Sequence, residues 1–263
     1  MDKVINFGIP HVGEQIFKNM TTQELIKCLL VSKTWKELAE NVLFKRWRGH
    51  IFQACENGET EVVKILLERS DNENINWNAT DGNGLTPLML ACNDGHKDIV
   101  RLLMDHSISK NIDLNAGTNV GDTPFMFACA QGNKDVVKII LEYSDKRNIN
   151  LNARTKYGYT AFLFACSRAY TDIVKLLLDH SGNQKIDLNA KTEYGWTAFM
   201  IACKRGYKHV VQLLLDNSEK NIDLNARSNN GWTALKYARY CRNRDIVQLL
   251  LDNSDERNID LNA

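Results

Sequence analysis

Apolar residues in this chain occur in two short groups that recur with a fixed long spacing. In one such stretch, the apolar residues 198–203 follow Thr197, whose hydroxyl can cap the first turn of a helix. Gly206 comes next, and glycine accepts the left-handed conformation in which helices often end. Residues 210–215 then place apolar side chains at helical spacing. The pattern predicts two short helices in each stretch.

The spacing of this pattern is about 37 residues, and it covers most of the chain. The dipeptide Asn-Ala begins at positions 78, 115, 152, 189, 225 and 262. Glycines at 84, 121, 158, 195 and 231 and cysteines at 55, 92, 129, 166 and 203 keep the same phase. Pro87 and Pro124 follow the threonines equivalent to Thr197, where proline fits the first helical position. So regular a period predicts stacked repeats, with a tight turn at glycines such as Gly231.

The period fails before about residue 48, which predicts a separate module at residues 5–47. Thr21 or Thr22 together with Glu24 is typical of a helix start. Apolar residues follow at positions 25, 26, 29 and 30, and we expect three short helices in all. A module of about 40 residues buries too little surface for comfortable stability. We therefore expect it to lean on the first repeat or on a partner.

The composition is typical of a soluble, nearly neutral chain. Of 263 residues, 44% are hydrophobic and 25% charged, and 33 Lys and Arg against 32 Asp and Glu leave a net charge of +1. This balance predicts no nucleic-acid or membrane partner. No apolar run has the roughly 18 residues of a membrane span, and we expect no secretory signal. The odd number of cysteines, seven, predicts free thiols in a reducing compartment, hence the cytoplasm or the nucleus.

The cysteines in register are the strongest candidate for metal or disulfide chemistry, but packing explains them better. Stacked helices lie roughly 8–10 Å apart, which is too far for disulfide geometry. The six histidines lack metal-ligand spacing, and there is no Cys-X-X-Cys pair. Residues 82–84, Gly-Asn-Gly, fit a turn tip rather than a phosphate-binding loop. The sequence predicts no enzyme activity, no metal and no cofactor.

The repeats resemble the ankyrin repeat, whose unit has a Gly-X-Thr-Pro-Leu start, an alanine-containing helix, a second helix ending in Leu-Leu and an Asn-Ala hairpin. The resemblance covers residues 48–263 and implies an all-α solenoid with short β-hairpin turns. Its six units lie near 48–79, 80–116, 117–153, 154–190, 191–226 and 227–263, and the first lacks its hairpin. Four extra residues precede Asn-Ala, and the usual histidine is replaced by Met89, Met126, Leu163, Met200 and Lys236. The hydrogen bond of that histidine is therefore in doubt.

The N-terminal module resembles an F-box. That family has Leu-Pro, Ile-Phe, Asp-Leu-Leu, Val-Cys-Lys-X-Trp and Leu-Trp segments. The matching residues here are Ile9-Pro10, Ile16-Phe17, Glu24-Leu25-Ile26, Val31 to Trp35, and Phe44 to Trp47. The resemblance implies docking on a Skp-family adaptor of a cullin–RING ubiquitin ligase, with the repeats capturing a protein substrate. The alternative is an ankyrin scaffold without a ubiquitin role, in which these helices only cap the solenoid.

Two sets of site residues follow from these resemblances. The predicted adaptor-binding set is Ile9, Pro10, Ile16, Phe17, Leu25, Ile26, Leu29, Val31 and Trp35, although several of these, Trp35 above all, could instead face the module's own core. The predicted substrate-binding set, from the turn tips and the ends of the first helices, is Lys156, Tyr157, Tyr159, Arg168, Tyr194, Trp196, Lys204, Arg205, Trp232 and Tyr240.

Aromatic and arginine side chains dominate binding hot spots, which places the predicted substrate surface in repeats four to six. The alternative is that Tyr159, Trp196 and Trp232 stack on one another for packing alone. The substrate itself is an unidentified protein. Outside the ligase complex we expect a monomer.

Overall fold

The computed structural model describes residues 15–73, 75–181 and 186–261, except the side chains of residues 71–73. A helical turn at residues 15–18 precedes the helices of the N-terminal module and of the repeats. The helices are α1 (Thr22–Cys28), α2 (Lys33–Trp47), α3 (Ile51–Glu56), α4 (Thr60–Glu73), α5 (Pro87–Asp94), α6 (Lys97–Asp105), α7 (Pro124–Gln131), α8 (Lys134–Arg147), α9 (Ala161–Ser167), α10 (Thr171–His180), α11 (Ala198–Arg205), α12 (Lys208–Asp216), α13 (Ala234–Tyr240), α14 (Arg244–Asp252) and α15 (Ser254–Arg257). A 3₁₀ turn, Ser218–Lys220, follows α12.

The repeats stack in two layers of helices. The first helices of the units, α3, α5, α7, α9, α11 and α13, pack side by side in an inner layer. The second helices, α4, α6, α8, α10, α12 and α14, pack in the same order behind them. One continuous hydrophobic core runs through all units, from Phe17 to Ile259. Because each helix pair leaves an apolar face open, the neighbouring unit completes its core.

Threonine caps start the first helices, as the sequence predicts. The hydroxyl of Thr197 accepts the N–H of Met200 at 3.3 Å, and Thr86, Thr123, Thr160 and Thr233 cap their helices in the same way. In the second repeat Met89 stands at the position of the family's histidine, and its sulfur accepts the N–H of Thr86 at 3.3 Å. Gly206 ends α11 in the left-handed conformation, with φ 73°, as expected.

The turns between units contain no strand among the described residues, so the predicted β-hairpins are wrong in that detail. In the fifth unit the N–H of Gly195 donates to the carbonyl of Thr192 at 2.8 Å, and that of Thr192 to Trp196 at 3.0 Å. A single main-chain bond, from Glu193 to Tyr157, links this turn to the preceding one. Such contacts are too few for a ladder. Gly195 has φ 76°, and an added Cβ would lie 2.7 Å from the N of Asn229, so glycine is required.

The asparagine of the Asn-Ala pair clips neighbouring units together in the described repeats. Asn115 Nδ2 donates to the carbonyl of Asn148 at 3.0 Å, and its Oδ1 accepts the N–H of Asn150 at 2.7 Å. Asn78, Asn189 and Asn225 repeat this arrangement. Asn148 itself is left-handed, with φ 50°. In the third unit α8 continues to Arg147, and Asn148 follows it directly as the C-cap.

The N-terminal module lies directly against the first repeat, as expected for so small a unit. Its long helix α2 packs on α4, the second helix of the first repeat. Arg69 on α4 reaches back to the carboxylate of Glu40 at 3.0 Å and to Asn41 Oδ1 at 2.6 Å. The capping box of Thr21 and Glu24 starts α1, as predicted. The described part of the module thus has a helical turn at residues 15–18, where the first predicted helix was expected, and two helices; the module before residue 15 lies outside the described residues.

Candidate protein-binding surfaces

A continuous run of aromatic side chains crosses the fifth and sixth repeats. Tyr194 and Trp196, in one turn, have ring centroids 5.5 Å apart, and Trp196 meets Tyr237 edge to face at 5.9 Å. Tyr237 contacts Trp232 at 5.2 Å, which in turn contacts Tyr240 at 5.1 Å. These five residues, called the aromatic run below, join the turns to the inner helices. Tyr194 is 58% exposed and Tyr240 73%, whereas Tyr237 is buried.

Hydrogen bonds hold the centre of the aromatic run. The indole N–H of Trp196 donates to the hydroxyl of Tyr237 at 2.7 Å, and that hydroxyl donates to Ser228 Oγ at 3.0 Å. Tyr237 contacts both Trp196 and Trp232, and the direct stacking of these two indoles that the packing alternative expected does not occur. Because buried Tyr and Trp polar groups need partners, these bonds orient the rings rigidly.

Lysine ammonium groups lie over the indole rings. Lys204 Nζ lies 3.8 Å from the ring centroid of Trp196, and Lys236 Nζ lies 5.4 Å from that of Trp232. Both distances fall within the range of cation–π attraction. The fixed rings therefore position positive charges at the surface, beside exposed tyrosine edges.

The fourth repeat continues this surface in a plainer form. Tyr159 stacks on Phe164 with centroids 5.1 Å apart and is half-buried. Tyr157, at the turn tip, is 46% exposed, and Lys156 Nζ lies 5.1 Å from its ring centroid. Arg168, at the end of α9, is exposed. The third repeat has Asp122 where Tyr159 stands here, and partial burial raises the pKa of that carboxyl.

The structure brings the predicted substrate-binding residues onto one side of repeats four to six. Lys156, Tyr157, Arg168, Tyr194, Arg205 and Tyr240 are exposed, and Tyr159, Trp196, Lys204 and Trp232 are half-buried. Sequence reasoning missed Tyr237, which joins the two tryptophans. The available signal was a hydroxyl at a position where other units carry the apolar Leu90, Phe127, Phe164 and Ile201.

The predicted adaptor-binding residues divide between the core of the module and its surface. Phe17 is 1% exposed and Leu25 is 0% exposed, so these two residues form the module's own core and are not accessible to an adaptor. Trp35 packs edge to face on Phe17 at 5.5 Å, as the alternative interpretation expected. Ile9 and Pro10 lie outside the described residues.

The accessible apolar residues of the module lie mainly around the α1–α2 turn. Ile16 is 37% and Val31 54% exposed, and Leu30, which the sequence prediction omitted, is 91% exposed. Ile26 and Leu29 are half-buried and line a cavity of about 420 Å³ against α4. These five residues are called the apolar patch below.

The cysteine stripe lies inside the inner layer. Cys55, Cys92, Cys129, Cys166 and Cys203 are buried with free thiols. Burial raises the pKa of the Cys55 thiol to about 12 and that of the others further. In the part of the chain that the structure describes, no cluster of three His, Cys, Asp or Glu side chains could hold a metal ion. Nor does any helix there have the length and apolarity to cross a membrane.

Comparison with known proteins agrees with this architecture. A family model described as ankyrin repeats (3 copies) matches residues 18–115, 51–153, 112–192, 146–227 and 184–263. Because these matches cover most of the sequence, the chain belongs to the ankyrin-repeat family. Proteins of this family are typically binding scaffolds for other proteins rather than enzymes.

A solved structure supports the same fold. The crystal structure of EF0377, an ankyrin repeat protein, superposes with a TM-score of 0.66 and 27% sequence identity over 77% of this chain and 96% of that one. A search among curated proteins found no similar sequence.

Proposed function

We propose that this protein joins two others: its N-terminal module docks on a Skp-family adaptor of a cullin–RING ubiquitin ligase, and repeats four to six capture a protein substrate. The observation that carries the proposal is the aromatic run with its lysines, a rigid, exposed and cation-bearing surface on a binding scaffold. The chain does no chemistry itself. It raises the concentration of the substrate near the ligase. Its free thiols suit the cytoplasm or the nucleus, where such ligases work.

Substrate capture is supported by the residue types at the surface. Tyr, Trp and Arg supply most hot-spot energy in protein interfaces. Tyr194 and Trp196 have ring centroids 5.5 Å apart here, and Arg205 is exposed at the end of α11. The hydrogen bond from Trp196 to Tyr237 fixes the central ring before any partner arrives. A preorganised surface loses little side-chain entropy on binding, which favours affinity.

Adaptor docking is supported by the apolar patch and by the F-box resemblance. Leu30 and Val31 project from the α1–α2 turn, where a soluble domain ordinarily places polar residues. Leu30 lines the same cavity as the half-buried Ile26 and Leu29, and Ile16 is exposed on the same module. Burial of such residues against a partner is the usual driving force of a stable interface.

A second candidate function is that of a solenoid cap without any ubiquitin role. The observation that favours it is the shared core of module and first repeat: α2 packs on α4, and Arg69 ties the two together through Glu40 and Asn41. The ankyrin family match also begins within the module, at residue 18. In this case the apolar patch would have no adaptor to bind.

A pull-down of a purified Skp-family adaptor with the full chain separates the two candidates. The adaptor should be retained by the native chain and lost when Ile16→Asp and Val31→Asp are combined. Both side chains are exposed, so the fold should survive, as circular dichroism can verify. Ile108→Asp is the matched control, because Ile108 is 74% exposed on another unit. Failure of the native chain to retain the adaptor, or retention by the double variant, would refute adaptor docking through this patch.

A further inference from the structure

The surface formed by the turns and inner helices changes charge along the solenoid. The segments 80–95 and 117–132, from repeats two and three, contain no Lys or Arg and carry Asp81, Asp94 and Asp122. The segments 154–169, 191–206 and 227–242, from repeats four to six, carry one carboxylate, that of Glu193. Their cations are Arg154, Lys156, Arg168, Lys191, Lys204, Arg205, Arg227, Lys236, Arg239 and Arg242. The whole chain has a net charge of only +1, so this difference in charge is a local property of the surface.

One position of the repeat shows this change of charge from unit to unit. Asp94, Gln131, Arg168 and Arg205 occupy equivalent positions at the ends of successive inner helices. All four are exposed. The side chain at this position is therefore negative in repeat two, neutral in repeat three and positive in repeats four and five.

The positive charges of this register are available to a partner. Neither Arg168 nor Arg205 forms an ion pair or a side-chain hydrogen bond with any residue in the described ranges. Lys204 lies against the ring of Trp196, which Tyr194 also contacts, and it directly precedes Arg205 in the chain. Cations and aromatic rings thus lie together on this surface, and hydrogen bonds hold the central rings in place.

We infer that repeats four to six bind an acidic polypeptide segment that also carries aromatic or other apolar side chains. The inference deepens the proposed function and rests on it, since it names the chemical class of the captured substrate. Carboxylates of the segment meet Arg168, Lys204 and Arg205, while its apolar side chains cover the edges of Tyr194 and Tyr240. The acidic repeats two and three repel the same segment, which confines it to the C-terminal half.

A polypeptide fits this surface better than a nucleic acid does. Single-stranded nucleic acids bind by stacking their bases on open aromatic faces. Here Lys204 covers one face of Trp196, and Tyr237, Tyr240 and Lys236 surround Trp232. The two indole rings are thus partly covered by neighbouring side chains, which leaves less open face for a base to stack on than a bare ring offers.

The test uses a fluorescently labelled random copolymer of glutamate and tyrosine, titrated with the full chain and followed by fluorescence anisotropy. Binding should saturate and weaken as salt is added. Arg168→Glu combined with Arg205→Glu should weaken it at least about tenfold, because two attractive contacts become repulsive. Lys175→Glu with Lys208→Glu is the matched control: these lysines are exposed on α10 and α12, in the same two repeats but in the other layer. This control should stay within about twofold of the native chain.

One further variant and two further probes complete the experiment. Arg168→Gln with Arg205→Gln removes the charges without reversing them, and should lose an intermediate amount of affinity. A copolymer of lysine and tyrosine should fail to bind, whereas an oligothymidylate should bind more weakly than the glutamate–tyrosine copolymer.

The inference is overturned if the acidic copolymer does not bind, if both charge-reversal pairs weaken it equally, or if the oligothymidylate binds more tightly. The adaptor pull-down does not depend on this surface. A chain that retains the adaptor but ignores the acidic copolymer would therefore leave the ligase role intact and remove only the acidic substrate.

Discussion

Trp196 and Tyr237 are joined by a hydrogen bond of 2.7 Å that crosses from the fifth repeat to the sixth. The indole nitrogen donates, and the tyrosine hydroxyl in turn donates a hydrogen bond to Ser228 Oγ at 3.0 Å. Tyr237 is buried, yet the rings it touches on either side, Trp196 and Trp232, reach the surface. A buried polar side chain thus sets the geometry of the aromatic surface and stabilises the contact between two repeats.

Removing the hydroxyl of Tyr237 should destabilise the fold measurably. Tyr237→Phe keeps the ring contacts but leaves the half-buried indole N–H of Trp196 without its acceptor. A group left unsatisfied in this way costs about 1–2 kcal/mol. Urea unfolding followed by circular dichroism should show this loss, together with a shift of tryptophan emission. Tyr240→Phe is the control, since its exposed hydroxyl has no partner in the described ranges. Equal midpoints for the two variants would show that the bond adds no stability.

The asparagine clips should contribute to stacking between units. Asn115→Ala removes the bonds to the carbonyl of Asn148 and from the N–H of Asn150. We expect a loss of about 1–2 kcal/mol in the free energy of unfolding, because two main-chain groups lose their partner. Asn230→Ala, at an exposed turn tip without side-chain bonds in the described structure, should change stability by less than about 0.5 kcal/mol. Indistinguishable urea midpoints would refute a structural role for the clip.

Close approach of the inner helices should make them intolerant of larger side chains. Ala165 is fully buried in α9, between the helices α7 and α11. Ala165→Leu should overpack this contact and cost roughly 1–3 kcal/mol. Ala238 is also fully buried, but α13 has only α11 as an inner-layer neighbour among the described helices. Ala238→Leu should therefore cost less, and a larger cost than that of Ala165→Leu would contradict stacking as the main source of stability.

The cysteine stripe should resist alkylation until the protein unfolds. Iodoacetamide attacks thiolates, and burial raises the pKa of these thiols, that of Cys55 from 9.0 to about 12. In the native protein near neutral pH, mass spectrometry should find Cys241, which is only half-buried, labelled first. Cys129 and Cys166 should react only in denaturant. Rapid native labelling of these two would mean that the inner layer opens readily.

The same thiols predict a direction for the pH dependence of stability. Their pKa in the folded state lies above the unfolded value, so the stabilisation from keeping them neutral is complete below about pH 9. It is lost as the pH rises through the folded-state pKa values, that of Cys55 being about 12. The urea midpoint should fall between pH 9 and 11, and it should fall less in a Cys129→Ala, Cys166→Ala variant. An equal fall in both proteins would assign the alkaline loss to other groups.

The repeat fold could be predicted because its signals are local and recur in every unit. Thr197 caps the helix that follows it, and Gly206 ends the same helix, so each position reveals its role within a few residues. The length of α8 and the hydrogen bonds of Asn115 could not be predicted in this way, since they depend on how one unit packs against the next. Strands were expected at the turns because the family resemblance includes hairpins, but only one main-chain bond joins the neighbouring turns at Tyr157 and Glu193.

The candidate sites were less predictable because exposure is a tertiary property. Phe17, Leu25 and Val31 are all apolar and all match the F-box pattern, yet only Val31 is exposed. Tyr237 contacts Trp196 from 41 residues away in sequence. Spacing alone does not identify that pair.

The central claim is that one chain joins an adaptor and a substrate through separate surfaces. The most direct test is calorimetric titration of a purified Skp-family adaptor into the full chain, first alone and then with the glutamate–tyrosine copolymer bound. We expect one adaptor per chain, the same Kd in both titrations, and no heat of binding for the Ile16→Asp, Val31→Asp variant. No binding by the native chain, or an adaptor that displaces the copolymer, would contradict it.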